Sequence, residues 1–367
     1  MNSIATLYRP SHDETARQAF VGALKGHVNG AMEARLAALY EQEIAEDAPN
    51  DLDALIARFE DYDIYRLWGS ATYTSQDLLW ESVGEVIDRV RGDFEARQNA
   101  LAAPGERLGS LTLDPSLALP QPIASIAIHR QPGGYFHQDS ADDLTAPLLY
   151  FSSIELYRAA KGLGTGADTG APAMSPLMLK VMGEKFPDLA PRSMLDLGCG
   201  PGTETLAFAR AFPDGEQHGL DLSGPFVRFA HLWAEEHGVP VHYKQANAAD
   251  TGYDDRQFDL ITSHILFHET SAEILPQIMR EAHRILAPGG VFFNADVPYQ
   301  PHRLTAPKRV TNAWQVANNG EPFWRGFAET DVVAAMIEAG FARDEIFADY
   351  VPLGRGDYFM FGARKKP

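Results

Sequence analysis

Apolar residues recur at intervals of three and four positions over much of the first hundred residues. One series contains Met32, Leu36, Leu39, Tyr40 and Ile44, and a second contains Leu78, Leu79, Val83, Val86, Ile87, Val90 and Phe94. Such spacing places apolar side chains on one face of an α-helix, where they face a core. We therefore predict that residues 1–160 form a mainly helical domain, serving as a cap over a neighbouring site or as a dimerisation surface.

The helical pattern ends in a proline-rich stretch between Pro104 and Pro122. Beyond it, the residues from Ile123 to Ile128 predict a short strand, and Gln131-Pro132-Gly133-Gly134 has the composition of a type II turn. Aromatic and ionisable residues surround this turn, namely His129, Arg130, Tyr135, Phe136 and His137. Two alternatives stay open, a hairpin whose aromatic residues pack into the core and a segment that closes over a substrate. His129 and His137 suggest a metal pair, but no third ligand is evident, so we predict no metal site.

A glycine-rich segment at residues 161–174 predicts a linker between the helical domain and a second unit at residues 175–367. Ser175-Pro176 has the composition of a helix start. From Ser193 onward, strand-like and helix-like segments alternate, which is typical of a sheet with helices on both faces.

An apolar strand from Met194 to Leu197 runs into a loop with glycine at every second position, Gly198, Gly200 and Gly202. Glycine adopts positive φ readily and lets the backbone approach a ligand closely. Asp221 follows at the end of the next predicted strand, where a carboxylate can accept both hydroxyls of a ribose. A nicotinamide fingerprint needs G-x-G-x-x-G, and Thr203 stands where its third glycine would fall. The loop therefore predicts a nucleotide cofactor other than NAD.

The stretch Asp196-Leu197-Gly198-Cys199-Gly200-Pro201-Gly202 resembles motif I of class I S-adenosylmethionine-dependent methyltransferases. Three later segments support the resemblance: Ala246-Asn247-Ala248-Ala249-Asp250, the strand from Phe258 to His264, and Arg284-Ile285-Leu286-Ala287-Pro288-Gly289-Gly290. Asn247 stands where the family usually has Asp, so this position keeps a hydrogen-bond acceptor but carries no charge.

This resemblance implies an α/β fold with a Rossmann-like, mainly parallel sheet whose last strand is antiparallel. Glu345 to Tyr350 and Asp357 to Ala363 would form the closing antiparallel pair. The implied cofactor is S-adenosyl-L-methionine. Its expected binding residues are Asp196, Gly198, Gly200, Gly202, Asp221, Leu222, Asn247, Ala248, Ser263 and His264.

The resemblance further implies methyl transfer, for which we expect a small-molecule oxygen or nitrogen acceptor. A hydroxyl or amine acceptor needs a base, and His268 is the candidate catalytic residue, with Glu269 available to orient its ring. The alternative is that His268 packs in the interior or caps a helix. Two other functions stay open, namely a different use of the cofactor, such as intramolecular cyclisation, and cofactor binding without catalysis.

A long segment near residues 297–327 predicts an insertion on the substrate side of the core. Together with the helical domain it would shape the acceptor pocket, for which we name Tyr135, Arg303, Trp314 and Trp324 as candidate substrate contacts. The alternative for Trp314 and Trp324 is packing between the two units.

Composition narrows the choice of partners. The formal charge of −19 disfavours nucleic acid, since phosphate binding needs clustered Lys and Arg. Cys199 is the single cysteine, which leaves no intrachain disulfide and no cysteine-based zinc site. The amino-terminal residues lack the apolar region of a signal peptide, and no apolar run is long enough for a membrane span. We expect a cytoplasmic enzyme without a membrane partner and leave a homodimer open.

Overall fold

The computed structural model describes residues 7–103, 105–160, 174–298, 300–353 and 356–366. The predicted linker lies outside these residues except for Met174, the first residue of a helix that ends at Lys185. Ser175 is therefore a buried residue inside that helix and not the residue before it.

Five α-helices are described before residue 161: α1 His12–His27, α2 Glu33–Leu39, α3 Leu52–Glu60, α4 Asp63–Ala102 and α5 Thr145–Ala160. Ser11 caps α1 by accepting from the amide of Glu14, whose carboxylate accepts from the amide of Ser11. This reciprocal pairing satisfies amides that have no partner inside the helix. The predicted apolar stripe supplies buried residues such as Leu36 and Ile44 to a core around Trp68.

Eight strands form one sheet in the described part of the chain. They are β1 Ser110–Thr112, β2 Ser193–Leu197, β3 Glu216–Asp221, β4 His242–Gln245, β5 Phe258–His264, β6 Leu286–Asp296, β7 Ile346–Leu353 and β8 Gly356–Arg364. Their order across the sheet is β1-β4-β3-β2-β5-β6-β8-β7. All neighbours from β1 to β6 are parallel, whereas β8 runs antiparallel to both β6 and β7. The predicted Rossmann-like sheet and its antiparallel closing pair are confirmed.

The remaining helices are α6 Met174–Lys185, α7 Thr203–Ala211, α8 Gly224–Glu236, α9 Leu275–Ile285, α10 Ala306–Asn318, α11 Trp324–Glu329 and α12 Val332–Glu338. Residues of α9 and α12 share one apolar cluster with the sheet, while α6 and α7 share another. A third cluster joins α8 to α4 and α5, so the amino-terminal helices pack directly on the sheet domain. Arg97 of α4 adds an ion pair with Glu236 of α8 at 2.8 Å.

The predicted strand from Ile123 to Ile128 is wrong. The chain forms two 3₁₀ turns there, Ile123–Ser125 and Ile128–Arg130. The amide of Ser125 donates to the carbonyl of Pro122, and that of Arg130 to the carbonyl of Ala127, so these amides serve local turns and not a sheet ladder. The predicted type II turn agrees with the bond from Gly134 N to Gln131 O at 2.8 Å and with the φ of +74° at Gly133.

Strand β1, which pairs Ser110 with His242 at the edge of the sheet, was not predicted. Three residues with exposed Ser110 and Thr112 carry too little alternation to predict a strand. Within the described part of the chain, no helix has both the length and the apolar character that a membrane span requires.

Candidate functional site

A cavity of 1230 Å³ lies beyond the carboxyl ends of β2, β3 and β5. Its floor contains the glycine loop after β2, and its walls include residues of α1, α4 and α10. In parallel α/β sheets this edge is the usual position for ligands, because the loops that follow the strands converge there.

The three loop glycines have positive φ but differ in surroundings. A Cβ on Gly198 would lie 2.7 Å from Leu266 Cδ1, and one on Gly202 would lie 2.6 Å from the hydroxyl of Tyr243. A Cβ on Gly200 would meet nothing closer than Phe226 at 4.0 Å. Gly198 and Gly200 line the cavity, whereas Gly202 does not. Gly200 therefore leaves open space beside the backbone. Gly202 lets α7 begin close to Tyr243 and Ala230.

Asp221 connects the second strand end to this loop. One carboxylate oxygen accepts from the amide of Gly200 at 3.0 Å, and the other accepts from the amide of Ser223 at 2.8 Å. The Ser223 hydroxyl in turn donates to the carbonyl of Tyr135 at 2.7 Å, which ties the 131–137 segment to the sheet domain. Burial raises the pKa of Asp221 despite these donors.

Asp196 lies beneath the glycine loop and accepts from the hydroxyl of Thr205 at 2.6 Å. Burial raises the pKa of Asp196 to about 7, against the lowering effect of that hydroxyl. Nearby, His264 lies between Glu204 at 3.4 Å and the Tyr358 hydroxyl at 3.2 Å. Burial alone would raise the pKa of Glu204, but the His264 imidazole lowers it to about 2.

Most predicted cofactor residues meet at this end of the cavity. Those that line it are Asp196, Gly198, Gly200, Asp221, Leu222, Asn247, Ala248 and His264. Ser263 does not line the cavity: it is fully buried and donates to the side-chain oxygen of Asn294 at 2.7 Å. Successive side chains of β5 point to opposite faces of the sheet, so Ser263 and His264 have different surroundings.

A further part of the cavity wall contains His268, which pairs with the buried Asp296 behind it. Nδ1 of His268 lies 2.5 Å from the Asp296 carboxylate, and Nε2 lies 3.4 Å from Glu269. Asp296 also accepts from the amides of Phe267 and Val297, so its orientation is fixed. Burial would lower the pKa of His268, but the Asp296 and Glu269 carboxylates raise it well above its usual value.

Glu269 extends this cluster to His129. Its carboxylate lies 3.0 Å from Nε2 of His129, and Nδ1 of the same ring lies 2.5 Å from Glu321. All three side chains line the cavity. Burial would lower the pKa of His129, but the Glu321 and Glu269 carboxylates raise it to about 10.

Two of the four predicted substrate contacts line the cavity, namely Tyr135 and Trp324. Arg303 instead pairs with Asp357 at 2.9 Å and lies over the ring of Tyr350. Trp314 packs edge-on against Trp68 with ring centroids 5.2 Å apart. These two side chains thus stabilise the packing of the 297–327 segment: Trp314 lies on α10, and Arg303 lies in the 3₁₀ turn before that helix.

Sequence reasoning missed Asp296 and Glu321. Asp296 ends a buried strand, the same signal that identified Asp221, so the pattern contained the information. Glu321 lies in a loop after α10 without any local motif, and only the folded chain brings it to His129.

These residues fit S-adenosylmethionine. The space beside Gly200 is open, the Asp221 carboxylate reaches the cavity from the end of β3, and Asn247 and Ala248 follow β4 on the same edge. A nucleoside needs such a backbone approach together with an acceptor for its hydroxyls.

Comparisons with known proteins agree. The sequence profile of the family described as "Methyltransferase domain" matches residues 194–290. The probable methyltransferase ltbC of Aspergillus luteorubrus is 29% identical over 164 residues, which cover 41% of this chain and 57% of the relative. The trans-aconitate 2-methyltransferase of Methylobacterium radiotolerans is 32% identical over 138 residues, covering 36% of this chain and 50% of that protein.

A solved structure of phosphoethanolamine N-methyltransferase 2 from Haemonchus contortus superposes with a TM-score of 0.45 at 14% identity, covering 61% of this chain and 60% of that one. The chain spans about half the length of the curated relatives it matches.

Fold and site together define a Rossmann-like domain with a nucleotide-cofactor loop at the carboxyl edge of its sheet. More narrowly, residues 194–290 form a methyltransferase domain of the class I S-adenosylmethionine-dependent family.

Proposed function

We propose that this protein transfers a methyl group from S-adenosylmethionine to an oxygen or nitrogen atom of a small molecule. The main supporting observation is that one continuous cavity reaches from the glycine loop to the His268–Asp296 pair. Its 1230 Å³ exceeds what a single drug-sized ligand needs, so cofactor and acceptor have room side by side.

The cofactor end of the cavity would be held by the residues that line it. Gly198 and Gly200 let the backbone approach, Asp221 accepts from ribose hydroxyls, and Asn247 offers an acceptor to an amine. When bound, S-adenosylmethionine supplies an electrophilic methyl group on a sulfonium, so the protein need only position the acceptor and exclude water.

His268 is the proposed group that receives the acceptor proton, a role that needs the neutral ring. Because the Asp296 and Glu269 carboxylates raise the pKa of His268, we expect this role to be filled at alkaline rather than at neutral pH. Its ring is 3% exposed at the cavity wall, and Asp296 fixes the ring from the side of Nδ1, which leaves Nε2 to face Glu269. Position and orientation support this role. An imidazole oriented by a carboxylate is a recurrent arrangement for proton transfer.

The acceptor end would be closed by residues from outside the sheet domain. Tyr135 comes from the 131–137 segment, Trp324 from α11, and Gln76 from α4, and all three line the cavity. An acceptor enclosed by such different parts of the chain would be separated from water, which favours transfer over hydrolysis. We further propose a cytoplasmic setting without nucleic-acid or membrane partners; dimerisation stays a prediction.

Calorimetric titration with S-adenosylmethionine, followed by mass spectrometry with and without a metabolite extract, tests the proposal. We expect binding, and S-adenosylhomocysteine that forms only with extract. If methylthioadenosine forms without extract, the proposal of methyl transfer is wrong and the protein cyclises or cleaves the cofactor. Cofactor binding without turnover would indicate a non-catalytic role instead of methyl transfer. Absence of cofactor binding would overturn the proposed function.

A further inference from the structure

His129, Glu269 and Glu321 converge from three distant parts of the chain. His129 precedes the 131–137 segment, Glu269 follows β5, and Glu321 lies between α10 and α11. One ligand atom from each side chain lies within 4.8 Å of the other two. The sequence offered no third ligand for His129, and the fold supplies two carboxylates.

The backbone at His129 is fixed in an uncommon conformation. Its φ is +53°, and Arg130 follows at +57°. The His129 carbonyl accepts from Gln76 at 2.7 Å and from the Trp80 indole at 2.9 Å, while its amide donates to Gly320 at 2.8 Å. Non-glycine residues with positive φ are costly and persist where the surroundings enforce them, often at ligand sites. The position of the His129 ring is therefore set by several independent contacts.

The backbone before Glu321 packs closely against His129 and Arg130. A Cβ on the preceding Gly320 would lie 2.6 Å from the amide nitrogen of Arg130, so only glycine allows this approach. Glu321 is 5% exposed, and its Oε2 has no hydrogen-bond partner among the described residues. A buried carboxylate oxygen without a donor is costly, and this one borders the cavity.

We propose that His129, Glu269 and Glu321 bind a divalent transition-metal ion at the acceptor end of the cavity. One imidazole and two carboxylates suit Mn²⁺, Fe²⁺ or Zn²⁺ better than Mg²⁺, which prefers oxygen ligands only. Two carboxylates and a neutral imidazole also balance the charge of such an ion.

Binding of the ion would replace a hydrogen-bonded proton on the His129 ring. Both ring nitrogens of His129 face carboxylate oxygens, so each carries a proton in the hydrogen-bonded state. On binding, the ion takes the place of one of these protons, which is released to solvent. The 3.0 Å between Nε2 and the Glu269 oxygen matches two neighbouring ligands that each lie about 2.1 Å from one ion. Glu321 contacts the other ring nitrogen, Nδ1, so its carboxylate would have to turn towards Nε2 to complete the site; one ligand atom of each side chain lies within 4.8 Å of the other two.

The ion would act on the acceptor, a role that rests on the proposed function. Open coordination positions would face the cavity that also contains His268. An acceptor with two adjacent oxygens, such as a hydroxyl beside a carbonyl or a second hydroxyl, could fill them. The proposed site thus selects chelating oxygen compounds as the acceptor class.

A second cluster provides an internal control. His137, Asp139 and Asp143 also bring three potential ligand atoms within 4.8 Å, but His137 and Asp139 are exposed and none of the three lines the cavity. His137→Ala therefore removes a potential ligand of similar chemistry without touching the proposed site.

The full-length protein, stripped with chelator, would be titrated calorimetrically with Mn²⁺, Zn²⁺ and Mg²⁺, with bound metal counted by elemental analysis. We expect one Mn²⁺ or Zn²⁺ per chain, at least tenfold weaker binding in Glu321→Gln and Glu269→Gln, and no change in His137→Ala. Glu321→Gln keeps an oxygen for the His129 ring, and circular dichroism would verify that each variant is folded.

Equal affinity in wild type and both Gln variants, loss of binding in His137→Ala, or absence of binding in wild type would overturn the metal site. Titration with S-adenosylmethionine on the same samples separates the two proposals. Cofactor binding without metal binding would refute the metal site alone, whereas metal binding without cofactor binding would refute the proposed function alone.

Discussion

Nδ1 of His268 lies 2.5 Å from a carboxylate oxygen of Asp296, which joins the turn after β5 to the end of β6. Asp296 is fully buried and accepts three hydrogen bonds, so it holds the imidazole in one orientation at the cavity wall. The methyl acceptor would meet a ring that is oriented before the substrate arrives.

We predict that His268→Asn lowers kcat about 10²–10⁴-fold, the usual range for loss of a positioned proton acceptor. Affinity for S-adenosylmethionine should stay within about twofold, because His268 pairs with Asp296 and Glu269, neither of which is a proposed cofactor contact. Steady-state kinetics and calorimetry measure the two quantities. Unchanged kcat would remove His268 from the mechanism.

Asp221→Asn should weaken S-adenosylmethionine binding about tenfold or more, because an amide replaces a carboxylate that would accept from two hydroxyls. Calorimetric titration measures the affinity. Asp214→Asn is a matched control, since Asp214 is 88% exposed and remote from the cavity. Equal losses in both variants would contradict the assigned role of Asp221.

Gly202→Ala should lower the free energy of unfolding by about 1–3 kcal/mol, because its φ of +83° is strained for alanine and its Cβ would meet Tyr243. Gly84→Ala in α4 is the control: nothing lies within 4 Å of its Cβ, so stability should rise by about 0.5–1 kcal/mol. Urea unfolding measures both. A neutral Gly202→Ala would show that the loop relaxes easily.

Trp324→Ala should raise the acceptor KM with modest loss of stability, because this ring lines the cavity. Trp314→Ala should instead lower the free energy of unfolding by about 1–3 kcal/mol, since it removes the partly buried ring that packs against Trp68. Thermal unfolding and kinetics distinguish these effects. A larger KM change in Trp314→Ala would reverse the assignment.

Acid should weaken the junction between α1 and α4. Hydrogen bonds from Arg89 lower the pKa of Glu14 from 4.5 to about 2. Because the folded-state pKa is depressed, this pair stabilises the protein fully above about pH 4.5 and loses its contribution as the pH falls towards 2. With Arg89 44% exposed, we expect about 1 kcal/mol. Melting temperatures against pH should fall less steeply in Glu14→Gln than in wild type.

The sequence predicted the sheet domain well because its signals are local. The glycines after β2 and the carboxylate at Asp221 follow from strand, turn and helix chemistry within a few residues. Ser263 was misassigned because proximity to a strand end does not settle which face a side chain takes. A one-residue difference in β5 reverses that direction.

The acceptor end could not be predicted in the same way. His129, Glu269 and Glu321 are separated by more than fifty residues from one another, and no spacing rule connects them. Arg303 and Trp314 were chosen by residue type, whereas the direction of Trp314 depends on how α10 packs against Trp68, and that of Arg303 on its contacts with Asp357 and Tyr350.

Strand β1 has a consequence for synthesis on the ribosome. Ser110 pairs beside His242, 132 residues further along the chain, so this edge has no partner until most of the protein has been made. During that interval the unpaired edge of residues 110–112 would be open to pairing with other nascent chains. Slowing translation before residue 242 should therefore increase the yield lost to aggregation, while slowing it afterwards should have little effect.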